Sequence, residues 1–365
     1  MAATSTPLSA EQECRRLKGL RIPPNNEAIC WWLSVNLALF HKRRPEFDTL
    51  LKGGGDYISD FSRLYDYYSN GVDESDNDLT TEIRKNLATT DNKAAVPQNK
   101  TKERKFSINS TKSESVSEYF YYLTDSITKT FKSDPAKKNL LDALLIPMIN
   151  ANPDSFEQTY DVYYHALYFG LRRQVNDKNP IDMKTPGLSA FYEFPPVKLS
   201  SRSSTVVLSF ERKLMDKYSN YIVTPLETIT LPTLTEDPIE LPEDILKDVS
   251  EKDKESIEQK VTEVWSNWVN LTRENTKATE FYLDAMTVST PGGGHFVTYI
   301  KCGDSWLYDN GMSGGNLGEK DGHKEFNSFE EMMNDENGKM IRENLVLLYY
   351  SKVEGEGEAT IATAP

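Results

Sequence analysis

The chain has 365 residues and a formal net charge of -14, from 42 basic and 56 acidic side chains. That balance argues against generic nucleic-acid binding and suits a basic partner or plain solubility. Hydrophobic residues make up 38%, yet 5 Trp, 19 Tyr and 15 Phe supply bulky core material for one large domain with insertions or for two domains. No apolar stretch approaches the roughly 20 residues of a membrane span.

Residues 1–12 are small and polar, which predicts a disordered start. They carry neither a basic n-region nor an apolar h-region, so secretion is not expected. Three scattered cysteines, Cys14, Cys30 and Cys302, are too few for a disulfide framework or a four-cysteine zinc site. A reducing intracellular setting, cytoplasmic or nuclear, fits this usage, and the Asn-x-Ser/Thr triplets at Asn99, Asn109 and Asn270 are then chance matches.

After Pro23-Pro24, Cys30 stands at the front of an apolar run in which Leu33, Leu37 and Phe40 recur at helical spacing. A thiol at a helix N-terminus meets unpaired N–H groups that favour the thiolate; the same cysteine also reads as a small core hydrophobe. Tyr57 to Tyr68 has helical spacing with an aromatic face suited to a core. From about Val72 to Ser115 an acidic stretch and a Lys-, Asn- and Ser-rich stretch predict a solvated insertion.

Helical periodicity returns in Val116–Phe131, Asn139–Asn150 and Phe156–Leu171, the last carrying His165 among tyrosines. Beyond Pro186 the pattern turns to short strands: Ser204–Phe210, Tyr221–Leu226 and Thr228–Pro232. A charged helix with apolar residues at Ile257, Val261, Val264, Trp265 and Trp268 is predicted within 242–275. Strands follow at Phe281–Val288, His295–Cys302, Ser305–Tyr308 and Leu345–Tyr350, before a polar tail over 354–365. Helices first and strands last predict an α+β architecture.

A nucleophilic cysteine needs a base and a group that orients the base. Of four histidines, His295 stands out because Gly292-Gly293-Gly294 precede it and let an extended chain approach closely. If the strands on either side of Gly303-Asp304 form a hairpin, Asp309 returns near His295, where a carboxylate can hold the imidazole tautomer. Taken alone, the same residues also describe an ordinary hairpin with a surface histidine.

The order Cys, His, Asp is that of papain-like peptidases, and the segments resemble the ubiquitin-specific protease family. Asn25, Trp31, Ser34, Leu39 and Phe40 around Cys30 are similar to that family's cysteine box. Gly294-His295-Phe296-Val297-Thr298-Tyr299 is similar to its histidine box, and Trp306-Leu307-Tyr308-Asp309-Asn310 to the strand that ends in its orienting residue. Thr205–Arg212, Ile222–Leu231 and Glu343–Tyr350 resemble three further family strands, in the same order along the chain. The departures are the missing Cys-x-x-Cys zinc pairs, the lead-in Gly19-Leu20-Arg21-Ile22-Pro23-Pro24, and Leu33 and Leu37 at usually polar positions.

The resemblance implies one papain-like catalytic domain over 13–353, with the cysteine on a helix N-terminus in a helical, thumb-like part (about 28–175, insertion about 72–115). An antiparallel β-sheet palm would fill about 185–353. It implies a thiol-dependent deubiquitinase without cofactor or metal, cleaving after the C-terminal Gly-Gly of ubiquitin or a ubiquitin-like protein. Cys30 would be the nucleophile, His295 the base and Asp309 its orienter with Asn310 as alternative, and Asn25 an oxyanion donor. Gly292, Gly293, Gly294, Trp31, Phe296 and Tyr299 would line the substrate channel. The altered positions leave two other expectations: a catalytically silent ubiquitin-binding or scaffold relative, and a peptidase of the same fold, for instance in a virus with a large genome, acting on another protein.

Overall fold

Ser9 opens the first helix, α1 (Ala10–Lys18), with a capping box in which Ser9 and Gln12 satisfy each other's backbone N–H groups. The disordered start predicted to residue 12 therefore gives way to ordered helix at Ala10. The computed structural model describes residues 9–51 (apart from 24, 26 and 27), 56–70, 79–90, 114–131, 201–210, 222–235 and 275–352 (apart from 313 and 319–321), with shorter stretches between 134 and 218.

After the two-residue strand β1 (Arg21–Ile22) comes α2 (Cys30–Phe40), and all eleven of its residues are buried. The apolar run predicts a buried helix starting near Cys30, and the helix is surrounded, as befits one that is apolar all round. Helix α3 (Pro45–Leu50) starts on a proline whose missing N–H costs a first turn nothing. Helices α4 (Asp56–Asn70), α5 (Leu79–Thr90) and α6 (Val116–Phe131) follow. Helix α5 lies inside the stretch read as a solvated insertion, where Ile83 finds a buried place. Trp31, Trp32 and Tyr119 of α6 form one aromatic knot around α2, and Phe40, Phe47 and Tyr65 of α4 form another.

The helical period of 139–171 is met among the described residues by helix at 140–141 and by strand further on. The structure has short strands there, β2 (Ile146–Pro147), β3 (Tyr163–Tyr164) and β4 (Leu167–Phe169). Consecutive aromatics satisfy either period, and aromatics favour a pleated surface once a sheet edge is offered. His165 and most of this span lie outside the described residues, as does nearly all of the charged helix predicted within 242–275.

The sheet holds β5 (Thr205–Phe210), β8 (Thr228–Leu234), β9 (Thr276–Ser289), β10 (Phe296–Cys302), β11 (Ser305–Asp309), β13 (His323–Phe326) and β14 (Leu345–Lys352). Three small pairs stand apart from it among the described residues, β2 with β3, β6 (Lys213–Leu214) with β7 (Lys217–Tyr218), and β1 with β12 (Gly315–Asn316). The strand order is β13-β11-β10-β9-β14-β5-β4, with β8 pairing the first half of β9. All these pairings are antiparallel except β4 with β5. Tyr221–Leu226, read as a strand, contributes a bridge at Val223, whose N–H meets the Arg342 carbonyl at 2.9 Å.

Alternation along the strands splits the core in two. Phe296, Ile300, Leu307 and Tyr349 face the helices α2, α4 and α6. Val297, Tyr299, Trp306, Leu348 and Tyr350 face a second core closed by α7 (Phe329–Asn334) and α8 (Glu336–Asn344). Fully burying each such side chain contributes about 1.5–3 kcal/mol, so α2 is held against the sheet by one of the two cores.

Helix α1 lies against β10, and Cys14 and Cys302 form a disulfide with Cα atoms 4.7 Å apart, although 288 positions separate them. Sequence spacing could not signal a pairing created by helix-on-strand docking. Cys30 is the one free thiol.

Candidate active site

The N-terminus of α2 presents Cys30 with no side-chain cap at Ile29. Asn25 reaches forward instead, its Oδ1 accepting the Ile29 N–H at 2.5 Å. Between them Ala28 sits at φ 54, a left-handed conformation that costs a non-glycine residue on the order of 1 kcal/mol and is characteristic of functional loops. Cys30 is 1% exposed. Burial pushes its thiol up from the usual range, opposed in part by the backbone N–H groups of Phe296, Trp31 and Cys30 itself. The helix-end amides thus favour the thiolate as the sequence predicts, but in this conformation desolvation outweighs them.

His295 ends a turn begun at Thr290, whose N–H donates to the His295 carbonyl at 2.8 Å. Gly292 and Gly293 take φ values of 92 and 70 that this turn demands. The His295 ring is half-buried, and its Nε2 meets the main-chain carbonyl of Asn310. A carbonyl only accepts, so the hydrogen of this contact is on Nε2.

The turn after β11 gathers the candidate residues, each successive position touching one of them. Asn310 offers its carbonyl to His295. An ideal Cβ at Gly311 would lie 3.6 Å from the Cys30 Cβ and 3.5 Å from the His295 Cε1, so thiol-bearing and imidazole groups flank one point. Met312 accepts the Asn25 backbone N–H at 3.3 Å and sets its Sδ 3.4 Å from the Asn25 Nδ2. The Asn310 side chain is spent within the turn, its Oδ1 accepting the Met312 N–H at 2.8 Å.

Asp309, the orienter in the sequence reading, is fully buried and lies elsewhere in the hairpin. It pairs in register with Thr298 on one side and His323 on the other. Its Oδ1 stands 3.3 Å from the His323 Nδ1, a close charge contact without hydrogen-bond alignment. Burial pushes the Asp309 acid up to about 7, and the Gly311 N–H only partly opposes it. The imidazole that meets this carboxylate is therefore that of His323, while His295 is held by the next residue's carbonyl.

Cys30, His295, Asn25 and Asn310 are brought together. Trp31 and Tyr299, read as channel residues, are wholly buried: Trp31 packs edge-on to Tyr119, and the Tyr299 hydroxyl donates to Asn337 at 2.9 Å on the far face of the sheet. Phe296 is buried in the helix-facing core. Gly292 and Gly294 are exposed, with open space where a Cβ would stand. Gly311, Met312 and His323 were not singled out from sequence; Asn310-Gly311 is a turn dipeptide, and that is the one signal available. Among the described residues no cluster of three or more His, Cys, Asp or Glu is arranged to hold a metal ion.

No family model matches the chain. No curated protein sequence matches it either. Its fold is that of a chain in the SAGA Ubp8/Sgf11/Sus1/Sgf73 DUB module bound to ubiquitin aldehyde, with a TM-score of 0.52 over 97% of this chain and 73% of that one, at 11% identity. The same module bound to monoubiquitin gives 0.50, again at 11% identity and covering 97% and 73%. A further structure of the Ubp8-Sgf11-Sgf73-Sus1 module gives 0.50 at 10% identity, covering 97% and 71%.

Proposed function

We propose that this chain is a cysteine peptidase that hydrolyses the peptide or isopeptide bond after the C-terminal Gly-Gly of ubiquitin or a ubiquitin-like protein. The carrying observation is that Cys30 and His295, from opposite ends of the chain, flank the single point at Gly311. The fold shared with modules whose structures hold ubiquitin aldehyde or monoubiquitin supports the substrate class. On this reading the catalytic domain is one unit spanning 13–353.

The Cys30 proton passes to the Nδ1 of His295, and the thiolate attacks the carbonyl carbon of the terminal glycine. The Cys30 N–H and the Asn25 Nδ2, released from Met312, stabilise the oxyanion; one such donor contributes about 2.7–4 kcal/mol to the barrier. His295 returns the proton to the leaving amine as the C–N bond breaks and a thioester remains. It then takes a proton from water, which cleaves the thioester to a free carboxylate and restores the thiol. The exposed Gly292 and Gly294 form the floor for the substrate's glycine tail.

Ubiquitin bearing a C-terminal aldehyde or vinyl electrophile tests this. An adduct on Cys30, lost in Cys30→Ala, is expected; no adduct with the intact chain overturns the reading. The burial and raised thiol of Cys30 favour one second reading, a silent ubiquitin-binding relative. Without reductant Cys30 is the one free thiol, so its alkylation near pH 7 separates the two: fast modification supports a peptidase, and a rate like that of an ordinary buried thiol supports the silent relative.

A further inference from the structure

We propose that His323 is a positioning residue of this site: paired with Asp309 across neighbouring strands, it fixes the Asn310–Met312 turn that holds His295, Cys30 and Asn25 together. The inference rests on the peptidase reading for its catalytic meaning, but its geometry stands apart from the substrate.

His323 begins β13 and lies directly opposite Asp309, the last residue of β11. Both side chains are 1% exposed. The ladder continues one step past the pair, the Asn310 N–H donating to the Gly322 carbonyl at 3.0 Å. The pair therefore sits at the root of the turn, where the strand ends and the contacts to the three candidate residues begin. On the Asp309 side the Gly311 N–H faces the carboxylate. The other groups around it are Tyr308 on its own strand and Tyr68 of α4, whose buried hydroxyl has no hydrogen-bond partner. His323 is thus the basic group set against a buried carboxylate that, among the described residues, otherwise faces phenols and one amide. A buried acid with an unmet charge relaxes toward whatever donor it can find. Here one such donor is the Gly311 N–H, which shares a peptide unit with the Asn310 carbonyl, so pulling on it shifts the carbonyl that orients His295.

The test uses His323→Gln, Asp309→Asn and the double variant. The expected result is a 10- to 100-fold lower kcat on a ubiquitin C-terminal amide with KM within twofold, the double variant falling no lower than the worse single one. Nitrogen-15 NMR of His295 supplies the readout that a merely structural role would leave alone. In the unaltered chain the ring carries its hydrogen on Nε2, and in either single variant it becomes a mixture of tautomers. An Nδ1–H ring in the unaltered chain overturns the proposal even if no variant folds. Folded variants with unchanged tautomer and kcat overturn it as well. If the unaltered chain lacks hydrolysis and probe adduct but the tautomer still responds to His323→Gln, the peptidase reading fails and the positioning role stands.

Discussion

His295 is held by the main-chain carbonyl of Asn310 and not by a side-chain carboxylate. A main-chain orienter has a mutational signature of its own, because substitution does not remove it. Asn310→Ala keeps the carbonyl and deletes only the Oδ1 bond to the Met312 N–H, a contact that contributes about 0.5–1.5 kcal/mol. The expected loss in kcat is therefore under about tenfold, against roughly 10⁴-fold where a side-chain carboxylate orients the catalytic histidine. Steady-state kinetics on a ubiquitin amide checks this, and a loss of several thousandfold would put the orienting group on the side chain.

Gly311→Ala should be far more damaging than its size suggests. The new Cβ would lie 2.8 Å from the Phe296 carbonyl, while Gly311 itself holds φ 64. Strain at such a position costs about 1–3 kcal/mol, and the methyl group would touch both the Cys30 Cβ and the His295 Cε1. Thermal unfolding should shift down by a few degrees while probe labelling of Cys30 slows by at least tenfold. Labelling at the unaltered rate would show that a methyl group at Gly311 leaves Cys30 and His295 undisturbed.

What was legible beforehand follows from where the information sits. The Cys30 helix could be read because eleven successive residues contain no breaker, and the His295 hairpin because its residues alternate around Gly303-Asp304. The α+β order was legible for the same reason. The organising role of the turn after β11 was signalled only as an Asn310-Gly311 turn, because its contacts to His295 and to the Asn25 N–H run through the main-chain carbonyls of Asn310 and Met312. The contact of Asp309 with His323 was not legible, because hairpin proximity does not say which neighbouring strand a side chain meets. The burial of Trp31 and Tyr299 was not legible either, because an aromatic beside a candidate site residue looks alike whether it faces a channel or a core. The Cys14–Cys302 bond and the strands in the aromatic run of 163–169 depend on tertiary docking, which outweighs local period.

The segment between α2 and α3 is tied to the sheet by a buried ion pair, and this gives a stability prediction away from the site. Asp284, buried in the middle of β9, meets Arg44 at 3.3 Å and Lys42 at 3.4 Å and accepts the Ser351 hydroxyl. Burial alone would raise its acid, yet Lys42, Arg44, His41 and Ser351 together hold it below the usual carboxylate range. Asp284→Asn leaves the Arg44 guanidinium buried against a neutral amide, a change that typically costs about 3–5 kcal/mol. Urea denaturation should find a loss of this size, largely recovered in the double variant Asp284→Asn, Arg44→Met, because replacing both charges removes the unpaired one. Independent, additive losses would argue against a coupled pair.

His41, just past the end of α2, predicts the pH dependence of folding. It is buried, and its Nδ1 contacts the Ala38 carbonyl at 2.9 Å. Burial is the main reason its base is pushed down to about 3; Arg44 and Lys42 add to this and Asp284 opposes it. In the unfolded chain an ordinary imidazole titrates near 6.5. The unfolded state therefore binds a proton below pH 6.5 that the folded state refuses until about pH 3. The contribution to stability is complete above the unfolded value and is lost as pH falls from there toward 3, reaching about 2 kcal/mol of loss at pH 5. Because Asp284 gives up its own contribution only at lower pH, the slope between pH 7 and pH 5 belongs chiefly to His41 among this cluster. His41→Gln should flatten that slope by about 2 kcal/mol in urea titrations at the two pH values. An unchanged slope in the variant would mean that the imidazole is already charged in the folded chain.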